Sequence, residues 1–107
     1  MGYRISQRNM RNKYSEIDII AENKEYIIFV EVKTRTGEFD LRPSFAVDRI
    51  KQQKIISAAF GYIKSNKIKK QPRFDVAEVF LGLEDFEPYK INYIENAYSQ
   101  GGAYAVF

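Results

Sequence analysis

The run Tyr26-Ile27-Ile28-Phe29-Val30-Glu31-Val32-Lys33-Thr34-Arg35 decides how this chain folds. Side chains alternate faces along a strand, so Ile28, Val30 and Val32 share one face, and Phe29, Glu31, Lys33 and Arg35 share the other. The first half is apolar on both faces, as an interior strand requires, yet the second half carries charge. Just upstream, Tyr14-Ser15-Glu16-Ile17-Asp18-Ile19-Ile20-Ala21 reads as a second strand with Glu16 and Asp18 on one face. The connection Glu22-Asn23-Lys24-Glu25 reads as a hairpin turn. If Glu22 and Glu25 close that turn, Glu16 lies opposite Glu31, with Asp18 one diagonal step away. Like charges facing each other on a sheet repel. A divalent metal is the simplest reason to gather them; a cross-strand salt-bridge ladder from Lys33 to Glu16 or Glu31 is the alternative.

Outward from this hairpin, Gly2 to Asn9 alternates enough to form a first strand. Arg35 to Pro43 has no apolar period and reads as a loop, and Ser44 is a fair N-cap for a helix reaching about Asn66. Val47, Ile55, Ile56, Ala58, Ala59, Phe60, Tyr62 and Ile63 form one broad arc of that helix. Lys51 and Gln52 fall inside the arc at its N-terminal end, so they are expected to point toward the sheet. Asn66 to Gln71 is a basic connection ended by Pro72. Arg73 to Leu81 and Tyr89 to Ile94 read as strands, and Gly101 to Phe107 as an apolar tail after a flexible glycine pair. The order β-β-β-α-β-β predicts an α/β fold, a mixed sheet flanked by a helix, in a single domain over residues 1–107.

Composition narrows the chemistry. The chain has 107 residues, 45% of them hydrophobic, with neither cysteine nor histidine. Thiolate and imidazole zinc sites, disulfides and Ser-His or Cys-His nucleophile pairs are therefore excluded. Catalysis would run on carboxylates, lysines, tyrosines or a hard oxygen-bound cation such as Mg2+ or Mn2+. No apolar stretch approaches a membrane span and no secretory signal is visible, so a cytoplasmic location without membrane attachment is the default expectation. Net charge is only +3, but it is segregated. Residues 49–73 hold eight basic side chains and no acid, whereas residues 74–95 hold six acids against Lys90 alone. A one-sided positive field of this kind attracts polyanions. Lys54, Lys64, Lys67, Lys69 and Lys70, off the apolar arc or beyond it, are the expected phosphate contacts, with Arg35 added at the strand end.

Magnesium takes a few carboxylates plus waters and phosphate oxygens. Asp18 and Glu31, on neighbouring strands and one face, can hold such an ion. Lys33 projects to the same side, where its ammonium can orient a water or offset charge on a phosphorane-like transition state. Glu-x-Lys alone is a cheap pattern, since Glu22-Asn23-Lys24 repeats it in a polar turn. What distinguishes Glu31-Val32-Lys33 is its place at the end of an apolar strand beside Asp18.

These residues also carry a family resemblance. Gly2-Tyr3-Arg4-Ile5 with Arg8-Asn9, Ser15-Glu16-Ile17-Asp18-Ile19-Ile20-Ala21 and Phe29-Val30-Glu31-Val32-Lys33-Thr34-Arg35 are similar to the YraN-like family of small bacterial proteins. So are Ala46-Val47-Asp48 with Lys51-Gln52, Arg73-Phe74-Asp75-Val76 and Ile94-Glu95-Asn96-Ala97. The likeness runs in order along nearly the whole chain. It implies a restriction-endonuclease-like core of the PD-(D/E)xK kind, near archaeal Holliday-junction resolvases. By it Asp18 is the motif aspartate, Glu31 and Lys33 the E-x-K pair, and Lys51 and Gln52 an auxiliary helix site. Ile17 stands where the superfamily pattern has proline. Members similar to this one begin with a helix ahead of the Gly-Tyr, whose glutamate can join the metal site. Here Met1 stands directly before Gly2, so the expectation is a core without that helix, with Glu16 as a partial substitute.

The expected function is a metal-dependent endonuclease hydrolysing DNA phosphodiester bonds, with structured or branched DNA as one substrate class and a homodimer as one arrangement. DNA is favoured over RNA as the partner. The competing readings are a non-catalytic nucleic-acid-binding module that keeps the fold, and a protein-interaction domain.

Overall fold

The computed structural model of the chain describes residues 2–37 and 49–99. Strands β1 (Arg4–Arg11), β2 (Glu16–Glu22) and β3 (Tyr26–Thr36) precede helix α1 (Arg49–Ser65), and β4 (Gln71–Leu81) and β5 (Pro88–Tyr98) follow it. They form one five-stranded sheet in the order β1-β2-β3-β4-β5. The pairs β1–β2, β2–β3 and β4–β5 are antiparallel. β3 and β4 run parallel along their full lengths, from Tyr26–Gln71 to Thr36–Leu81. Parallel neighbours need a long crossover, which α1 supplies. The expected mixed sheet with a helix is thus the observed one. β5 extends four residues past the expected Ile94, and Pro72 lies inside β4. The expected N-cap Ser44, the rest of the 35–43 loop, Val47 and the tail after Gly101 fall outside the described residues.

The helix explains the division of the core. Ile55, Ala58 and Ala59 of α1 are buried against Ile20, Phe29, Phe74, Val76 and Tyr98 of the sheet. Phe29 stacks on Phe74 at 5.6 Å between ring centroids and Phe74 on Tyr98 at 5.4 Å, an aromatic row crossing three strands beneath the helix. Such pairs contribute about 0.5–1.5 kcal/mol each beyond area burial. Ile28, Val30 and Ala77 form a smaller cluster on the opposite face, as the alternation from Phe29 requires. α1 ends with Lys67 in the left-handed region (φ 53°), the Ile68 N–H reaching the Ile63 carbonyl at 3.0 Å. That is the Schellman geometry, here built on lysine in place of the usual glycine.

The hairpin register differs from the expected one by two residues. The Asn23 N–H donates to the Tyr26 carbonyl at 3.0 Å, while the Asn23 side-chain oxygen accepts from the Glu25 and Tyr26 amides at 2.9 and 2.7 Å. Lys24 and Glu25 are therefore the turn residues, and Glu22 pairs with Ile27. Glu16 does not face Glu31; continuing the observed register sets Asp18 there. An asparagine that mimics a backbone turn through its own side chain overrides a count based on turn length.

The β2–β3 ladder stops at Ile19–Val30. One residue on, the Asp18 carboxylate accepts from the Val32 amide at 2.8 Å, replacing the next ladder bond with a side chain. The side-chain alternation slips here, since Ile17 and Ile20, three residues apart, both lie in the helix-side core. On the other flank, Asn9 occupies the position facing Asp18, between the pairs Arg8–Ile19 and Met10–Ile17, with φ 51°. Asparagine is among the few residues that adopt this conformation readily.

The face opposite α1 is locked by Asp75, which is wholly buried. It accepts from Arg73 through Nε and Nη2 at 3.0 and 2.8 Å, from the Tyr93 hydroxyl at 2.6 Å and from the Asn96 amide at 2.9 Å. β5 bulges around this carboxylate, its register shifting between Phe74–Tyr98 and Val76–Ile94, with Asn96 at φ 52°. The bond to Asp75 raises the Arg73 pKa further above its ordinary value, and burial pushes the Tyr93 phenol up. Truncating this carboxylate leaves the largely enclosed Arg73 guanidinium with the exposed Glu95, 3.8 Å away, as its remaining counter-charge among the described residues. Asp75→Ala should lower unfolding free energy by about 3–5 kcal/mol in urea titration; a loss below about 1 kcal/mol, the range of a surface pair, would contradict the lock.

Candidate functional site

Glu31 is the buried charge around which the candidate site is arranged. It stands on the helix-side face of β3, 8% exposed, next to Val76 of β4 in the parallel register. Lys51, in the first turn of α1, places Nζ 2.8 Å from Glu31 Oε1. Gln52, the next residue, is buried under the same turn. The two polar interruptions of the apolar arc thus point toward the sheet, and one meets the carboxylate directly. The physical reason is that a buried carboxylate requires a counter-charge, and the helix start is the element above it.

Asp18 comes to the same place from β2. Its Oδ2 rests on the amide of Val32, the residue after Glu31, so its carboxylate lies at the seam where β2 leaves β3. Lys33 is half-buried on the Glu31 face and registers with Glu78 of β4. The sheet therefore brings Asp18, Glu31, Lys33, Lys51 and Gln52 to one end. Glu16 stays outside: it is exposed and lies 3.7 Å from Arg11 across the β1–β2 ladder.

Arg35 differs from its expected role. Its side chain is 3% exposed, with Nε 3.0 Å from Glu78 Oε2, and Asn92 holds the other Glu78 oxygen at 2.8 Å. A guanidinium enclosed this way cannot lie on a phosphate backbone, so Arg35 is removed from the nucleic-acid-binding set. Glu78, missing from the expected site, is a buried acid on the site's face; its signal was Ala77-Glu78-Val79 inside an otherwise apolar strand. Of the lysines, Lys54, Lys64, Lys67 and Lys69 are exposed. Lys70 is held 2.8 Å from Glu22, whose pKa is lowered chiefly by that bond and by the Ser6 hydroxyl.

Among the described residues, no three acidic side chains converge on one point. Two carboxylates, Asp18 and Glu31, are the protein groups that a cation bound at this end of the sheet would have available. That donor set fits Mg2+ or Mn2+, which take one or two carboxylates and complete their shell with water and phosphate oxygens. The ammonium of Lys51 against Glu31 shows that a positive charge is already stabilised at this point. Also among the described residues, no helix is long and apolar enough to cross a membrane.

Residues 1–79 match the model of the uncharacterised protein family UPF0102. A UPF0102 protein of Caldanaerobacter subterraneus subsp. tengcongensis is 50% identical over 98 residues, covering 91% of this chain and 80% of the relative. UPF0102 proteins of Clostridium botulinum (strain 657 / Type Ba4) and Alkaliphilus metalliredigens are each 46% identical over 91% of this chain, covering 80% and 82% of their own lengths. The matched span carries β1 to β3, α1 and most of β4, and with them Asp18, Glu31, Lys33, Lys51 and Gln52. This chain belongs to the UPF0102 family, the YraN-like proteins.

Proposed function

We propose that this protein is a divalent-metal-dependent endonuclease that hydrolyses DNA phosphodiester bonds on a restriction-endonuclease-like core, with branched or otherwise structured DNA as the substrate class. The observation that carries the reading is the buried Glu31 carboxylate, paired with the Lys51 ammonium beside Asp18 where β2 departs from β3. A charge buried at such a seam costs stability and makes sense where a reaction uses it.

Bound Mg2+ or Mn2+ would polarise the scissile phosphate and activate a water. Asp18 and Glu31 would hold that ion. Lys33 places its ammonium on the Glu31 face, where it would stabilise negative charge developing on the phosphate. With Glu31 committed to such an ion, Lys51 would be placed to reach a phosphate oxygen. Gln52 can hydrogen-bond the scissile group from the same helical turn. The exposed lysines of α1 and the following connection supply a field that holds the backbone without reading bases.

One observation also favours a second reading, a nucleic-acid-binding module without catalysis: the Lys51–Glu31 contact at 2.8 Å satisfies the carboxylate as a purely structural pair would. Metal dependence of cleavage separates the two.

Lys33→Ala should lower Mg2+-dependent cleavage of branched and duplex DNA by about 100-fold or more, with DNA affinity held within a few fold, since its contribution is confined to the transition state. Cleavage equal to the parent would remove Lys33 from the reaction. Replacing the exposed Lys54, Lys64 and Lys69 together by alanine should weaken DNA binding evenly across sequences. Each lost contact should flatten the slope of log affinity against log salt by roughly 0.9 on duplex, as read by fluorescence anisotropy. An unchanged slope would mark these lysines as a solvated face only.

A further inference from the structure

Tyr98 presents an anomaly beneath the site. Its ring is the third member of the aromatic row under α1, stacked on Phe74, and the residue is 2% exposed. Its hydroxyl oxygen is buried and makes no hydrogen bond among the described residues. A phenylalanine would fill the same space without stranding a polar group, and an unsatisfied buried hydroxyl costs about 1–3 kcal/mol. Such an atom in a native core calls for an explanation, and a functional role is one of the recognised ones. Burial keeps the phenol protonated, and the two carboxylates whose fields reinforce this are Glu31 and Asp75. Protonated, it has a hydrogen to donate, and a carboxylate on its own face is a strong acceptor for it.

Of those two carboxylates, Asp75 is already engaged by Arg73, Tyr93 and Asn96 on the other face of the sheet. Glu31 lies on the same face as Tyr98, and Lys51 engages its Oε1. Val76 registers with Glu31 on β3, and Phe74, two residues earlier on β4, pairs with Tyr98 on β5. The phenol is thus anchored one row below the carboxylate.

We propose that Tyr98 is a positioning residue for the cation site: when a divalent ion replaces Lys51 at Glu31, the carboxylate turns and its second oxygen, Oε2, accepts the Tyr98 hydroxyl. This rests on the reading of Asp18 and Glu31 as cation ligands. Ligating carboxylates are held by hydrogen bonds from outside the coordination shell, and losing such a partner costs roughly 10–100-fold in metal affinity. The hydroxyl that a phenylalanine would lack thereby becomes a clamp on the liganded carboxylate.

The test compares the parent protein with Y98F by isothermal titration with Mn2+ and by urea unfolding in EDTA. Y98F should bind Mn2+ roughly 10–100-fold more weakly, yet unfold in EDTA at the same or a higher urea concentration. Equal Mn2+ affinity in the two proteins would overturn the role of Tyr98 and leave the cation site standing. A clear loss of stability for Y98F in EDTA would also overturn it, by showing that the hydroxyl has a partner without the ion. A parent protein that binds no Mn2+ would overturn this proposal and the nuclease reading together.

Discussion

The hydrogen bond from the Val32 amide to the Asp18 carboxylate is the point from which the rest of the molecule follows. Up to Ile19–Val30 the hairpin is an ordinary antiparallel ladder, and β3 is buried on both faces. At Asp18 a side chain takes over a backbone bond, β2 shifts its alternation, and Asn9 on β1 accommodates the shift with a left-handed backbone. β3, still paired with β4 through Thr36, carries Glu31, Lys33 and Arg35 beyond the point where β2 accompanies it in register. A central strand that one neighbour no longer accompanies in register can hold charge that a fully paired strand could not.

Two buried acids show how differently the same charge can be used. Asp75 is saturated: a guanidinium, a phenol and a backbone amide surround it, and the bulge of β5 is shaped to deliver the amide. Such a carboxylate is a fastener between β4 and β5. Glu31 meets a single lysine on one oxygen, at the exposed start of a helix, with an unsatisfied phenol on its own face. Glu78 resembles Asp75, since Arg35 and Asn92 occupy both of its oxygens. Of these three buried acids, Glu31 is the one least committed to holding the fold together.

Much of this was legible in the sequence because periodicity reports burial. The strands, the helix and their order follow from apolar alternation, and Lys51 and Gln52 were conspicuous as polar residues on an apolar arc. The register was not legible, because it depends on whether Asn23 closes the turn with its side chain, which shifts every facing pair by two. Arg35 was misplaced for a related reason: its partner Glu78 lies 43 residues away, across a parallel pairing that no local pattern encodes. The Asp75 network is similarly non-local, although the sequence motifs around Arg73-Phe74-Asp75 and Glu95-Asn96 are the parts that build it. Tyr98 gave no signal, because a buried tyrosine and a buried phenylalanine look alike until the hydroxyl is traced. The assignment to the UPF0102 family rests on β1 to β4 and leaves the chemistry to the arrangement of Asp18, Glu31 and Lys33.

On the proposed reading, Glu31 and Asp18 form a cation site in which Lys51 holds the place of the ion. A crystal soaked in Mn2+ and measured at the manganese edge tests it most directly. An anomalous peak bounded by Asp18 and Glu31 is expected, with the Lys51 ammonium moved away from Glu31 Oε1. Absence of that peak at saturating Mn2+, with Lys51 still 2.8 Å from the carboxylate, would contradict it and leave a structural ion pair in its place.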